Sequence, residues 1–333
     1  MIFPENKKIG IIGSGSWATA IAKIITENGM CINWFIRKEK SIKDFKDLKH
    51  NSQYLTSVEF DLKKINFSSD INEVVDNSNI LIFAIPSAFL RNVLDNLTSQ
   101  LDNKLIISAA KGLILGENLT LSQFFHEKYD ISEDNIVIVS GPCHAEEISL
   151  ERLSYLTFAS KNILFAKKIS ELFFNDYLLG SVSEDVIGIE YIAAIKNIYA
   201  IAAGMAHGAR YGDNFHAVLI SNSVKEIDNF LNVINPVSRN IYSSVYIGDL
   251  LVTAYSQFSR NRTFGYMIGK GYSVKSTVDE MLMVAEGYYA VKGIKEIKEK
   301  YNISMPIVDM VYRVVYDGVS LFTELEALTK KLN

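Results

Sequence analysis

The sequence predicts an α/β fold, with a doubly wound, mostly parallel sheet over residues 1–183 and an all-helical domain over 184–333. Three observations carry that expectation. Short apolar runs alternate with segments of helical spacing through the first half, the pattern of strands joined by crossover helices. A glycine-rich turn stands between the first apolar run and the first helical one. Near Ser183 the alternation stops, and apolar residues follow helical spacing almost to the end.

The first strand is Ile9–Ile12. It runs into Gly13-Ser-Gly15-Ser16-Trp17-Ala18, and a helical pattern follows over residues 17–28. Gly-x-Gly-x-x-Ala between a strand and a helix is the layout of a Rossmann-type dinucleotide-binding turn. Gly13 permits the tight turn, Gly15 lets the backbone approach a pyrophosphate, and Ala18 keeps helix and strand close. The new helix offers unsatisfied N–H groups and its positive dipole end to phosphates.

A second strand is expected over 31–36. The lysine-rich stretch 38–64 reads as partly loop, and further strands follow at 65–67, 80–85, Leu105–Ser108, Ile136–Ser140 and 155–159. Ligands of such sheets bind at the carboxyl ends of the strands, so the loops there should face the helical domain across a cleft.

Composition narrows the partners. A net charge of −4 gives no pull toward nucleic acid or an anionic membrane. Apolar stretches are interrupted by Lys, Glu or Asn short of the ~20 residues of a membrane-spanning helix. The first strand begins within nine residues of Met1, so no signal peptide is expected. Cys31 and Cys143 lie far apart without Cys-x-x-Cys spacing, so a reducing cytoplasm is expected. Cys31, in an apolar run, reads as a buried small hydrophobe. The five histidines lack metal-ligand spacing, and no metal is expected. The apolar helical domain leaves a homodimer open, although an internal core explains the same residues.

Several residues carry chemistry. Arg37 and Lys38 end the second strand where a ribose-binding carboxylate would select NAD. They suit a 2′-phosphate, so NADP(H) is favoured with NAD(H) open; solvated strand-end charges are the ordinary alternative. Pro86 and Ser87 follow the fourth strand, Lys111-Gly112 follows the fifth, and Gly141-Pro-Cys143-His-Ala145 follows the sixth. In the helical half, Lys196 has Ile192, Ala193, Tyr199 and Ala200 at three and four positions. On such an apolar face, desolvation lowers a lysine pKa toward the range useful for proton transfer; the alternative is a lysine snorkelling to the surface. Asp249 opens an apolar helix, either as a helix N-cap or as the partner of Lys196. Ser259-Arg260-Asn261 before a helical run suits a phosphomonoester, or a salt-bridging surface arginine.

Together these pieces resemble the bacterial NAD(P)-dependent sn-glycerol-3-phosphate dehydrogenase family. The likeness runs through Gly13-Ser-Gly-Ser-Trp-Ala-Thr-Ala20, Ile85-Pro-Ser87, Ala110-Lys-Gly-Leu113 and Ser140-Gly-Pro-Cys-His-Ala145. It continues through Ala194-Ile-Lys-Asn197, Tyr211-Gly-Asp-Asn214, Gly248-Asp-Leu250, Ser259-Arg-Asn-Arg262 and Val284-Ala-Glu-Gly287. The resemblance implies that Ser16, Trp17, Arg37, Lys111, Ala145, Arg260, Val284 and Glu286 line the cofactor. It implies that Lys111, Gly141, Cys143, Lys196, Asp249, Ser259, Arg260 and Asn261 contact the substrate, with Lys196 moving the proton and Asp249 orienting it. The implied reaction is hydride transfer between NAD(P)H and dihydroxyacetone phosphate to give sn-glycerol 3-phosphate, feeding glycerophospholipid synthesis. Cys143 stands where the family usually has Ser or Thr, and a thiol is the weaker donor. Ala18 stands where the family often has Gly, and nothing is carried over to 38–64. A dehydrogenase of another hydroxy acid would share the fold without needing the Ser259-Arg260-Asn261 anion site. A non-enzymatic dinucleotide sensor would need only the glycine turn.

Overall fold

The computed structural model describes residues 2–281, 283 and 285–332. The chain divides into two compact units, Met1–Ala110 with Leu121–Val186, and Lys111–Thr120 with Ile187–Asn333. The loop that carries Lys111 therefore counts with the helices, a placement that a loop's sequence gives no means to foresee.

The first unit is built on an eight-stranded sheet. Its strands are β1 (Ile9–Ile12), β2 (Ile32–Phe35), β3 (Ile65–Ser68), β4 (Ile80–Phe83), β5 (Leu105–Ser108), β6 (Ile136–Ser140), β7 (Ser154–Ala159) and β8 (Leu178–Ser183). They lie in the order β3-β2-β1-β4-β5-β6-β7-β8. Every neighbouring pair is parallel except β6 and β7. β1, β4, β5 and β6 are buried along their whole length, which is why they read as unbroken apolar runs. The chain winds outward from β1 through β2 to β3, then restarts at β4 on the other side of β1. That reversal is the topological switch point where such sheets bind ligands.

Three details differ from expectation. β8 was not foreseen: Leu-Leu-Gly-Ser-Val-Ser is an edge strand buried only at its first residue, so neither an apolar run nor a clean alternation marks it. Within 38–64, Glu39–Leu48 is an amphipathic helix that buries Ile42 and Phe45, with the Phe45 ring 5.3 Å from that of Trp34. Cys31 precedes β2 and is exposed, because the pairing of β2 begins only at Ile32.

The described elements of the second unit are helical. Its axis is the 23-residue helix Val186–Gly208. By length and composition this helix could cross a membrane, although 94% of its most apolar window is buried inside the protein. The expectation that every apolar stretch falls short of a span is corrected here: Glu190, Lys196 and Asn197 interrupt the run, yet the mean stays apolar. The helix Arg260–Gly269 lies against it at very short range. A Cβ on Gly204 would stand 2.1 Å from the Arg262 carbonyl oxygen, and one on Gly265 would stand 2.0 Å from that of Ile201. Gly208 and Gly269 meet one turn later, with their Cα atoms within 2.8 Å of the positions such Cβ atoms would take. Only glycine permits backbones to approach this closely. The contact fixes the helix that begins at Arg260 against the helix that carries Lys196.

Candidate active site

In the first unit the glycine turn is shaped by backbone and braced from outside. Gly13 has φ +126°, and a Cβ there would stand 2.6 Å from the carbonyl oxygen of Ala84, just past β4. Its own carbonyl accepts the indole N–H of Trp34 at 2.7 Å. Asn51 donates its amide to the Ser14 carbonyl at 3.1 Å and to Thr19 Oγ1 at 2.8 Å. Gly15 precedes the helix Ser16–Glu27, which has no side-chain cap. A Cβ on Gly15 would meet nothing within 4 Å. Open space over an uncapped helix N-terminus fits the phosphates of a dinucleotide.

The neighbouring residues fall as follows. Ser16 is buried, and Trp17 is partly buried against the core. Arg37 is exposed just past β2, and the Glu39 carboxylate accepts the Ser69 hydroxyl. Gly141 has φ +138°, and a Cβ there would stand 2.7 Å from the Tyr155 carbonyl oxygen. Cys143 is buried and in no disulfide, and the buried Ala145 opens the helix Ala145–Ser149.

The second unit gathers charge instead. Lys196 and Asp249 are 2% and 1% exposed and form an ion pair. That removes the snorkelling alternative for Lys196. Asp249 is no N-cap either, since a π-type turn over Ser244–Gly248 runs into it with helical backbone. Burial lowers the Lys196 pKa to about 8; Asp249 opposes the shift and the Lys111 ammonium adds to it. Glu286 opens the helix Glu286–Lys300 and is half-buried, yet its carboxyl lies deep enough for burial to raise its pKa to about 7, against the pull of Arg260, Lys111 and Lys196. Ser259 caps the helix Arg260–Gly269 by accepting the Arg262 N–H at 3.3 Å.

One chain of amides threads this cluster. Asn261 Oδ1 accepts the Gly287 N–H at 2.9 Å, and Asn261 Nδ2 donates to Asn197 Oδ1 at 2.9 Å. Asn197 Nδ2 donates to the carbonyls of Ala193 at 3.1 Å and Lys111 at 3.4 Å. Chemically, the unit presents an amine that holds or releases a proton near neutral pH, oriented by a carboxylate. Two further cations, Lys111 and Arg260, act on the Glu286 carboxyl group. Among the described residues no three His, Cys, Asp or Glu side chains come together to hold a metal.

Residues 8–166 match the N-terminal domain, and residues 185–326 the C-terminal domain, of NAD-dependent glycerol-3-phosphate dehydrogenase. A glycerol-3-phosphate dehydrogenase [NAD(P)+] of Clostridium botulinum is 34% identical over 311 residues, 93% of each chain. The chain belongs to the NAD-dependent glycerol-3-phosphate dehydrogenase family. The Staphylococcus carnosus enzyme of the same name is 34% identical, covering 96% of this chain and 97% of its own. In fold, the chain is similar to the crystal structure of glycerol-3-phosphate dehydrogenase from Coxiella burnetii. The TM-score is 0.90 at 23% identity, over 98% of this chain and 99% of that one.

The predicted site residues thus form two sets. Gly13, Gly15, Ser16, Trp17, Arg37, Gly141, Cys143 and Ala145 belong to the first unit, and Lys111, Lys196, Asp249, Ser259, Arg260, Asn261 and Glu286 to the second. Val284 lies outside the described residues. Sequence reasoning missed Trp34 and Asn51 as braces of the turn. An indole in an apolar strand needs an acceptor, which was the available signal for Trp34; Asn51 gave none. It also missed how Asn197 ties into the cluster, although its place beside Lys196 pointed there.

Proposed function

We propose that this chain catalyses reversible reduction of dihydroxyacetone phosphate to sn-glycerol 3-phosphate with NADP(H) as the favoured cofactor. The buried Lys196–Asp249 pair carries the reading, and family membership supports it. Gly13, Gly15, Ser16 and Trp17 would hold the dinucleotide, with Arg37 at its 2′-phosphate and Ala145 and Glu286 along its length. When bound, it supplies the hydride that reaches the carbonyl carbon. As negative charge develops on the substrate oxygen, Lys196 stabilises it and donates the proton. Asp249 holds the amine in place and balances its charge. Arg260, with Ser259 at the head of its helix, grips the phosphate, so binding energy away from the reacting carbon fixes its position. Lys111 would add a second cation, and the resemblance adds Gly141 and Cys143 as substrate contacts. The product suits glycerophospholipid synthesis in the cytoplasm.

The test is NADPH oxidation by purified protein with dihydroxyacetone phosphate, run beside NADH and beside unphosphorylated dihydroxyacetone. Turnover confined to the phosphate is expected; equal turnover of both ketones rejects the anion site, and turnover only of other hydroxy or keto acids rejects the substrate. Arg37→Ala should lower the NADPH-to-NADH preference about tenfold, the loss of a charge-assisted contact of ~1.5 kcal/mol. An unchanged ratio would remove Arg37 from the cofactor site.

A further inference from the structure

Three successive carbonyls of the glycine turn are tied back by protein donors. The Gly13 oxygen accepts the Trp34 indole N–H at 2.7 Å, and the Ser14 oxygen accepts the Asn51 amide at 3.1 Å. The Gly15 oxygen accepts the Thr19 N–H at 3.0 Å and the Thr19 hydroxyl at 2.9 Å. The Thr19 contacts come from the first turns of the helix Ser16–Glu27, as at any helix start. The other two donors come from outside, from β2 and from the segment after the helix Glu39–Leu48. Both are fully spent within the protein. An indole has one N–H to give, and Gly13 takes it. Asn51 gives its second amide hydrogen to Thr19 Oγ1 at 2.8 Å, while its Oδ1 accepts the N–H groups of Gln53 at 3.0 Å and Tyr54 at 3.2 Å. That is the whole capacity of a carboxamide. Trp34 and Asn51 are 0% and 7% exposed.

The consequence lies in the peptide planes. A trans peptide points its C=O and its N–H in opposite directions. Holding the Gly13 carbonyl on Trp34 therefore turns the Ser14 N–H away from Trp34. Holding the Ser14 carbonyl on Asn51 turns the Gly15 N–H away from Asn51. A turn built on two glycines needs such ties, because glycine accepts many backbone directions at little steric cost. A flipped Ser14–Gly15 peptide would present an oxygen where an anion needs a donor, and anion sites of this kind are made of successive N–H groups.

We infer that Asn51 and Trp34 are positioning residues, which aim the N–H groups of Ser14 and Gly15 at the cofactor diphosphate without touching it. The inference rests on the dinucleotide site proposed above. It assigns a binding role to two buried side chains that no ligand needs to reach.

The experiment measures dissociation constants by competition against NADPH fluorescence, together with melting temperature, in the wild type, Asn51→Leu, Trp34→Phe and Phe45→Leu. The competitors are 2′-phospho-ADP-ribose, which carries the diphosphate, and adenosine 2′-monophosphate, which lacks it. Asn51→Leu removes the ties at similar size. Trp34→Phe removes the N–H and keeps an aromatic ring against Phe45. Phe45→Leu is the control, since it loosens the same packing and leaves both carbonyl ties in place. Asn51→Leu and Trp34→Phe should bind NADPH and 2′-phospho-ADP-ribose about tenfold more weakly, the scale of a lost hydrogen bond and a buried carbonyl left unpaired. Adenosine 2′-monophosphate should bind all three variants as it does the wild type. Phe45→Leu should melt lower and bind both competitors normally. Equal weakening of both competitors, matched by Phe45→Leu, would overturn the inference and leave Asn51 and Trp34 as packing residues. Unchanged affinity for 2′-phospho-ADP-ribose in either variant would overturn it too. Should Asn51→Leu fail to fold, Trp34→Phe decides at the neighbouring carbonyl. A wild type that binds neither NADPH nor its fragments would reject the dinucleotide site itself, whereas normal NADPH binding by both variants rejects only the positioning role.

Discussion

In the first unit the candidate binding residues are mostly small and uncharged: Gly13, Gly15, Ser16, Gly141 and Ala145 offer backbone and space. In the second, Lys111, Lys196, Asp249, Arg260 and Glu286 offer charge, and two of their pKa values are moved by burial into the range of 7 to 8. A site made of backbone fails through sterics, so its variants should divide by whether an added atom meets protein or only ligand. A site made of buried charge fails through protonation, so its variants should act on turnover and on its pH dependence.

The largest effect should come from the charged side. Lys196→Ala is expected to reduce kcat by about a thousandfold, within the range of positioned acid–base groups, while NADPH binding measured by fluorescence stays within a few-fold. In the wild type, the ammonium is the form that donates. Ketone reduction should therefore decline as pH rises through about 8, and alcohol oxidation, which needs the neutral amine, should climb through the same range. A Lys196→Ala enzyme with normal turnover would break the comparison at its centre.

The glycine turn allows a sharper cut. Gly13→Ala places a Cβ 2.6 Å from the Ala84 carbonyl oxygen at φ +126°. Strain of roughly 1–3 kcal/mol should lower thermal stability, and cofactor affinity should drop with it. Gly15→Ala meets no protein atom within 4 Å. It should melt like the wild type yet bind NADPH at least tenfold more weakly, as its methyl occupies the space of the pyrophosphate. If both variants lost stability equally, Gly15 would have a packing role and not one of ligand approach.

What the sequence revealed follows the same division. The turn was legible because backbone geometry demands Gly13 and Gly15 at a fixed spacing beside a strand. Lys196 was legible because a lysine with Ile192, Ala193, Tyr199 and Ala200 around it conflicts with its own solvation. β8 was not, since an exposed edge strand needs no hydrophobic pattern of its own. The amide chain was not, because Asn197, Asn261 and Gly287 meet only after three helices have packed. The helix contact that brings them together did leave a trace: Gly204 and Gly208, and Gly265 and Gly269, repeat a spacing of four on two separate segments, a signature of close helix approach.

A shifted pKa does not by itself mark a working group, and Glu226 is the control within the second unit. Burial raises it to about 7, as it does Glu286. Its surroundings differ. One oxygen accepts the Ile307 N–H at 2.8 Å, at the start of the helix Pro306–Val315, and the other accepts the Tyr199 hydroxyl at 3.1 Å; the neighbouring charge that acts on it is the anion Asp309. Glu226 thus caps a helix and engages a core tyrosine, a structural task. Because its folded pKa lies above the unfolded value, the stability linked to its proton is fully present below about 4.5 and is lost as pH rises through about 7. The cost above that range is on the order of 3 kcal/mol. Glu226→Gln keeps an acceptor for Ile307 and a partner for Tyr199 without the ionisation. Melting temperatures between pH 5 and 8 should decline less steeply in Glu226→Gln than in the wild type, with kcat unchanged. A large fall in kcat with melting unaltered would place Glu226 among the working charges, and burial alone would then no longer separate the two carboxylates.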